Sequence, residues 1–480
     1  MKSISFPVAL FLSMLVVSCN GQPARLNLQS NYTEHKADNN VLTIDSIVDL
    51  KGGCIDLPAC YRLVFEGEGC IRNGKVYVDL ATYSIEGGYG IFDNVDLLPK
   101  NRIDNNQKCP IREFCAHWFG VTSSDSYDNT IPLQKAIDAG HAFAVPVYLP
   151  RGYYRITQAL RIHEGDVLRG EYSGRITPNH QTGASFIRYC GDGKEMIIVE
   201  GAHTTIENIL LAGSKPYYSD GFLLKNNAGE YMYLNNVLIV NSRYGVTSVL
   251  DNNEGFSGCV WNNVSIWKCV RGISIEITKN QGQYVTYNSF NNMILSDVFE
   301  KGAYFHCGNV NSTIFRDCLF ERIGYGNAFD SKFVKSEIAS IYVKNEANQG
   351  SIIIDGGYCE DVYFGKDGEP ASQLNDQLNA VYTVENISLT VRNTRFSNTR
   401  TIVRSKGIDN ISLSNCIDNG YYVKSNNKIV AICMCNANTV LDINNYGMVN
   451  QDKVSYETND NSSIKSSIIR NLRKKDFQIQ

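Results

Sequence analysis

Between residues 243 and 360 the chain sets basic, aromatic and acidic side chains at recurring intervals: Arg243 beside Tyr244, Trp267 beside Lys268, then Arg271, Asp297, Glu300, Tyr304 with His306, Glu321 beside Arg322, and Glu360. Two chemistries use these types. In β-elimination a cation neutralises a carboxylate and acidifies the neighbouring carbon, a tuned Lys, His or Tyr removes that proton, and a further group protonates the leaving oxygen. Lys268, Arg271, His306, Tyr304 and Glu321 are the catalytic candidates, and Arg243, Tyr244, Trp267, Asp297, Arg322 and Glu360 are the candidates for holding a substrate. Glycoside hydrolysis needs only two carboxylates, for which Asp297, Glu321 and Glu360 qualify. Each residue taken singly also suits a solvated outer face, and Trp267, Tyr244 and Tyr325 serve equally as sugar platforms or as packing beneath loops. The choice turns on whether one architecture brings them together.

That architecture is written as a repeat. "LNNVLIVNSRYGV" (234–246) and "WNNVSIWKCVRGI" (261–273) share Asn-Asn, an alternating apolar run and a Gly. Aligned on the second Asn, successive copies place Asn236, Asn263, Asn292 and Asp317 at steps of 27, 29 and 25 residues, with weaker copies at "IIIDGGYCED", "LTVRNTRFSN" and "ISLSNCIDN". Each copy holds a strand of period two, and the intervals are too short for a strand-helix-strand unit. The pattern predicts an all-β, right-handed, single-stranded parallel β-helix, a solenoid in which each coil buries the inner face of the next. Residues at one coil position then form a column with a rise of about 4.8 Å. One such column holds Val240, Trp267, Ser296 and Glu321, and the next holds Asn241, Lys268, Asp297 and Arg322; aligning Gly356 with Asp317 stacks Glu360 near Glu321. The aligned Asn suits a left-handed corner and can hydrogen-bond from coil to coil. Gly245, Gly272 and Gly302 are expected to turn another corner at positive φ.

An open β-helix end invites aggregation, and "DNTIPLQKAIDAG" predicts a capping helix that starts at Asn129 or Thr130, has Leu133, Ala136 and Ile137 on its apolar face, and ends at Gly140. The expected organisation is a signal segment over 1–19, a small β-rich region over 20–115, the β-helix over 116–440 and a polar tail over 441–480. The loop "GSKPYYSDGF", with Tyr217 and Tyr218, is expected to overhang the groove.

The first residues read Lys2, an apolar run from Phe6 to Val17, then "VVSC" ending at Cys19. The run is too short to span a bilayer and reads as an export signal. Ser18 before Cys19 resembles a bacterial lipobox, which implies lipid attachment at Cys19 and an outer-membrane lipoprotein on the cell-surface or periplasmic side. Of the other fourteen cysteines, Cys259, Cys269, Cys318 and Cys359 fall in strand patterns as buried thiols, while Cys54, Cys60, Cys70, Cys109 and Cys115 are the disulfide candidates. With 45 basic against 49 acidic residues, a formal charge of -4 gives no global reason to expect a nucleic-acid partner.

From "HWFGV" through "LQKAIDAG" to "VPVYLPRGYYRI" the chain resembles the pectate-lyase superfamily of right-handed parallel β-helix proteins. The resemblance rests on Phe119-Gly120, Asp125 and Asp128, Gln134-Lys135-Ala136-Ile137 and Pro150-Arg151-Gly152-Tyr153, with Ser123-Ser124-Asp125 where the superfamily has Gly-Asp-Gly. Together with the coils it covers roughly Ala116 to Cys435. It implies a carbohydrate ligand. The Asp-Asp and Gly-His-Gly motifs of polygalacturonase-like hydrolases and the Trp-x-Asp-His stretch of calcium pectate lyases are missing from the sequence. The β-rich region before "AHWFG" looks like exported polysaccharide-degrading lipoproteins of gut Bacteroidetes. The expectation is therefore a polysaccharide lyase acting on an acidic glycan, pectin-like or a glycosaminoglycan such as chondroitin or hyaluronan. It would use no cofactor, with calcium left open, and its one link to a membrane would be the lipid. A hydrolase of the same fold and a non-catalytic glycan-binding protein are the rivals.

Cells labelled with a clickable fatty acid should yield a labelled, membrane-bound protein, and Cys19→Ala should yield an unlabelled one. A labelled Cys19→Ala protein would rule out the lipobox.

Overall fold

The computed structural model describes residues 41–448, apart from 58–59, 81, 102–108, 173–182, 226, 252–253, 279–281, 325–336, 348–349, 363–379, 398, 400, 420–429 and 436–437, together with the short strands 25–26, 453–458, 466–470 and 473–474. One coil shows the plan. Strand Val260–Asn262 forms a first face; Asn263 turns the chain into Ser265–Ile277, which bends at Lys268 to make a second and a third face; Tyr284–Thr286 closes the coil. The next coil repeats this as Ser289–Asn291, Ile294–Cys307 and Asn309–Asn311, and every pairing between the two is parallel.

Inward positions stack like with like. On the first face Leu234, Trp261, Phe290, Phe315 and Ile354 are in register, and on the second Ile239, Ile266, Leu295, Phe320, Cys359 and Phe396 are, all of them buried. The aromatic column is continuous, with ring centroids 5.0 Å apart for Trp261–Phe290 and 4.7 Å for Phe290–Phe315. Such a strip removes a large apolar area from water at about 25 cal/mol per Å², but only because each coil lends its neighbour an inner face.

The corner between the first and second faces confirms the sequence alignment. Asn208, Asn236, Asn263, Asn292, Asp317, Gly356, Asn393, Asn415 and Asn445 all have positive φ, between 51° and 77°. From Asn208 to Asn415 each backbone N–H there donates to a carbonyl of the following coil, as from Asn236 to Asn262 (2.9 Å) and from Asn263 to Asn291 (3.0 Å). Asn236 Nδ2 also donates to Asn208 Oδ1 at 2.8 Å.

Gly245, Gly272 and Gly302 serve a different purpose from the one expected. None has positive φ. They stack beneath Gly221, and a Cβ on Gly272 would lie 2.4 Å from the Gly302 carbonyl oxygen and 2.6 Å from Leu295 Cδ2. They are glycines because the next coil's backbone runs where a side chain would stand.

The helix spans Thr130–Phe143, three residues past the expected stop: Gly140 is buried inside it, where a Cβ would meet Val147, and Ala144 in a left-handed conformation ends it. The helix also sits within the molecule instead of closing an open end. Residues 41–99 are themselves paired in parallel, Val41–Ile44 with Arg62–Phe65 and Cys70–Val78 with Phe92–Pro99, and Lys135 of the helix forms an ion pair with Asp96. Ring contacts from Phe65 through Phe92 to Phe119 and Phe114 run across the seam, which merges the two stacks into one core. Coil pairing continues past residue 440, where a polar tail was expected, through Val440–Asn444 and Ser466–Arg470.

None of the fourteen cysteines after Cys19 is joined in a disulfide. The five disulfide candidates are thus unpaired; Cys60 Sγ meets Thr82 Oγ1 at 3.7 Å and Cys70 Sγ donates to the Gly90 carbonyl at 3.1 Å. Cys259, Cys269, Cys318 and Cys359 are buried, as the strand pattern implied.

Gly272→Ala should lower stability by roughly 1–3 kcal/mol, read as a fall in the urea midpoint, and Gly272→Asn should be no better. Asn tolerates positive φ, so rescue by Asn would mean that backbone conformation and not space is the constraint.

Candidate active site

Outward positions of the third face form two columns across consecutive coils. One runs Ser274, Tyr304, Tyr342, Thr383 and Arg404; the other runs Val249, Glu276, His306, Lys344 and Glu385. At their near edge Tyr244, Arg271 and Lys301 are in register. This face brings Arg271, Lys301, Glu276, His306 and Lys344 together on neighbouring coils.

Arg271 is at its centre. Its Nε donates to Glu300 Oε2 at 2.8 Å, and its Nη1 donates to Glu276 Oε1 at 2.6 Å and to Ser274 Oγ at 3.1 Å. The guanidinium lies 4.7 Å from the Tyr304 ring centroid and 5.4 Å from that of Tyr244. Arg243 is held by a two-pronged pair to the buried Asp220, at 2.8 and 2.6 Å. His306 Nε2 meets Glu346 Oε1 at 2.7 Å, and Lys344 reaches both Glu346 (2.9 Å) and His306 (3.3 Å).

Lys301 differs from the other cations. It exposes 8 % of its side chain, its Nζ lies 4.0 Å from Glu300 Oε2, and it sits 5.3 and 5.4 Å from the Tyr304 and Tyr342 ring centroids. Burial, reinforced by the nearby Arg271 charge, lowers its pKa to about 8. Burial and the Glu276 carboxylate push the Tyr304 hydroxyl up to about 12, and burial with Glu337 raises Tyr342 further. Glu337 in turn pairs with Lys406, whose Nζ donates to Tyr342 Oη at 3.1 Å. An amine close to its titration point between protonated phenols is a workable base beside an acid.

The second face holds the remaining candidates. Trp267, Ser296, Glu321 and Glu360 are in register, so the Glu321–Glu360 adjacency expected from the alignment is present. Asp297 accepts from the Trp267 indole and from Arg322, whose Nε is 2.9 Å from Oδ1 and whose Nη2 is 3.0 Å from Oδ2. Lys268 Nζ lies over the Trp267 ring at 4.1 Å. Lys268, Asp297 and Arg322 occupy the corner itself, with φ of 51° to 55°. Tyr217 reaches across to pack edge-on against Phe299 at 4.3 Å, so its loop overhangs the boundary between the second and third faces.

The structure therefore divides the sequence candidates. Arg243, Tyr244, Arg271, Tyr304 and His306 share the third face, whereas Trp267, Lys268, Asp297, Glu321, Arg322 and Glu360 share the second. Cys19 and Tyr325 lie outside the described residues. Sequence reasoning missed Lys301, Glu276, Tyr342 and Glu337. Counting from the aligned Asn sets Glu300 opposite Arg271, but a register shift after Cys269 inserts one residue and brings Lys301 there instead. The signal was available: Gly272 follows Asn263 by nine residues and Gly302 follows Asn292 by ten. Among the described residues, no group of three or more His, Cys, Asp or Glu side chains converges as a metal site.

With coils, corners and outward columns in place, the chain is a right-handed parallel β-helix protein. Residues 116–350 match the family described as rhamnogalacturonase A/epimerase, pectate lyase-like. The gp42 tailspike of Acinetobacter phage vb_AbaP_AS12 has the same fold with a TM-score of 0.52 and 13% identity, over 78% of this chain and 65% of the tailspike. The enzymatically active domain of tailspike protein 2 from bacteriophage CBA120 gives 0.46 and 11%, over 72% and 52%. The gp49 tailspike of Acinetobacter baumannii bacteriophage Fri1, a capsular polysaccharide depolymerase, gives 0.35 and 10%, over 77% and 65%. The chain thus spans less than two thirds of each of these proteins. No curated protein matches the sequence.

Lys301 makes a signed prediction about pH. Its folded pKa of about 8 lies below the ordinary 10.5, so between those values the unfolded chain binds more protons and stability should rise with pH. Lys301→Met should flatten that rise relative to wild type, as read from urea midpoints between pH 7 and 10. Parallel curves for the two proteins would place the Lys301 amine in water.

Proposed function

We propose that the chain cleaves a uronic-acid-containing polysaccharide by β-elimination on its third face. The observation that carries this reading is the buried Lys301 amine, with its pKa near 8, packed between Tyr304 and Tyr342. The match to a pectate lyase-like family supports a polysaccharide as substrate. In this reading the neutral amine of Lys301 takes the C5 proton, the C4–O bond breaks as the C4–C5 double bond forms, and the Tyr304 hydroxyl gives its proton to the leaving oxygen. Arg271, with the Lys344 and His306 pair beside it, supplies the positive field for the substrate carboxylate. Trp267, Lys268 and Arg322 on the second face bind adjoining sugars. Export and lipid attachment at Cys19 would place this activity at the outer membrane.

A hydrolase is the second reading, favoured by one observation: Glu321 and Glu360 lie side by side in register. Purified protein should be screened against pectins, alginate and glycosaminoglycans, reading ultraviolet absorbance and reducing ends together. Elimination leaves a double bond conjugated to the carboxylate and so absorbs; hydrolysis gives reducing ends alone. Lys301→Ala is expected to lower kcat by about 10²–10³-fold, whereas Glu321→Gln and Glu360→Gln should weaken binding more than turnover. Activity that never produces the chromophore, and that the Glu→Gln changes abolish, would establish hydrolysis on the second face. Binding to an acidic glycan with no cleavage would leave a recognition protein.

A further inference from the structure

The corner that closes each coil, between the short strands such as Tyr284–Thr286 and the first face, carries a second column of left-handed residues: His203 (φ 60°), Tyr231 (54°), Gly258 (67°), Tyr287 (57°) and Ser312 (51°). They are true structural equivalents. His203 N donates to the Glu230 carbonyl, Tyr231 N to Ser257, Gly258 N to Thr286 and Tyr287 N to Asn311, at 2.7 to 3.2 Å.

A bulky side chain at positive φ is strained, and the Asn corner of this same chain shows which residues relieve that strain. Tyr and His here are not repaid by burial, since Tyr231 is 56% and Tyr287 72% exposed, and His203 is exposed as well. The rings are nevertheless arranged. Tyr231 stacks parallel on His203, with centroids 4.8 Å apart and planes 1° apart, and leans over Gly258, where a Cβ would lie 2.7 Å from its Cδ1. Beside them the Tyr284 ring lies over Gly255, with its hydroxyl bonded to Glu230 at 2.5 Å. Amide and hydroxyl groups line the flank: Asn262 Nδ2 reaches Tyr233 Oη at 3.4 Å and Ser257 meets Thr286 at 3.0 Å. In the chain, the immediate neighbours of the five corner residues include Glu230 and no Lys or Arg.

We infer that this corner is a second glycan-binding surface, distinct from the third-face cluster, which takes a neutral saccharide chain along the solenoid axis. Exposed aromatic faces bind the apolar faces of pyranose rings, and the flanking amides and hydroxyls bond their edges. Tyr231 and Tyr287 are two coils apart, roughly 10 Å at the parallel-strand spacing, a repeat that a linear hexose chain meets at every second residue. Among the immediate chain neighbours of the corner residues, a carboxylate and no cation select against an anionic polymer. The inference does not depend on the chemistry proposed for the third face, because the two sites share no residue.

The experiment is native affinity electrophoresis in gels containing xylan, arabinogalactan, mixed-linkage glucan or polygalacturonate. Tyr231→Asn and Tyr287→Asn suit the left-handed backbone, so both variants should keep or raise the thermal midpoint. At least one neutral polysaccharide should retard the wild type; each variant should bind it at least tenfold more weakly, the double variant should lose retardation, and mobility in polygalacturonate should not change with the variants. The inference is overturned if no neutral polysaccharide retards the wild type, if the double variant is retarded equally, or if its midpoint falls, which would make the rings structural. It is likewise overturned if sedimentation shows the double variant dissociating a wild-type oligomer, because the corner would then be a contact between copies.

Discussion

No coil of this protein can satisfy its own backbone. The N–H of each corner residue, from Asn208 to Asn415, donates to the coil that follows, and the strands between corners pair only with coils before and after. An unpaired buried amide costs about 1–3 kcal/mol, so the corners must bring successive coils into one register before the apolar columns can form. Left-handed residues recur at fixed positions because that is how a chain turns sharply without losing the ladder. The inner glycines follow from the same demand: at Gly221, Gly245, Gly272 and Gly302 a carbonyl of the adjacent coil stands within 2.4 to 2.6 Å of where a Cβ would be.

The candidate site arises where this regularity is broken. Between Cys269 and Arg271 on one coil, and Val298 and Lys301 on the next, one residue is added. A bulge turns side chains that would otherwise alternate; here it sets Lys301 in register with Arg271 and still leaves Gly272 and Gly302 stacked. Tyr217 and Phe299 cover the bend. The second and third faces are thereby separated into two polar surfaces, one built around Asp297 and Arg322 and the other around Arg271 and Lys301.

Electrostatics distinguish the members of the third-face cluster. Arg271 is matched by Glu276 and Glu300, Arg243 by Asp220, and Lys406 by Glu337, so these cations act chiefly as fixed parts of a network. Among the described residues Lys301 has only the longer 4.0 Å approach to Glu300, and it bears the desolvation that its burial imposes. Removing a charge from water favours the neutral amine, and the tyrosines around it are held protonated for the same reason. Chemistry that needs a proton acceptor and a proton donor close together is best supplied here.

The sequence by itself determined the architecture. A side-chain period of two, a coil period of 25 to 29 residues and the Asn corners leave little choice of fold, since only stacked coils bury such a pattern, and the Glu321–Glu360 adjacency followed from the corner alignment alone. What the sequence left undecided lies where packing alters the count. The added residue before Lys301, the role of the inner glycines, the helix running past Gly140 and the burial that tunes Lys301 all depend on atoms supplied by neighbouring coils. Column positions can be counted from an aligned Asn only until the first bulge. Beyond it, the tertiary structure decides which side chains share a face, because the register of one coil is set by hydrogen bonds to the next.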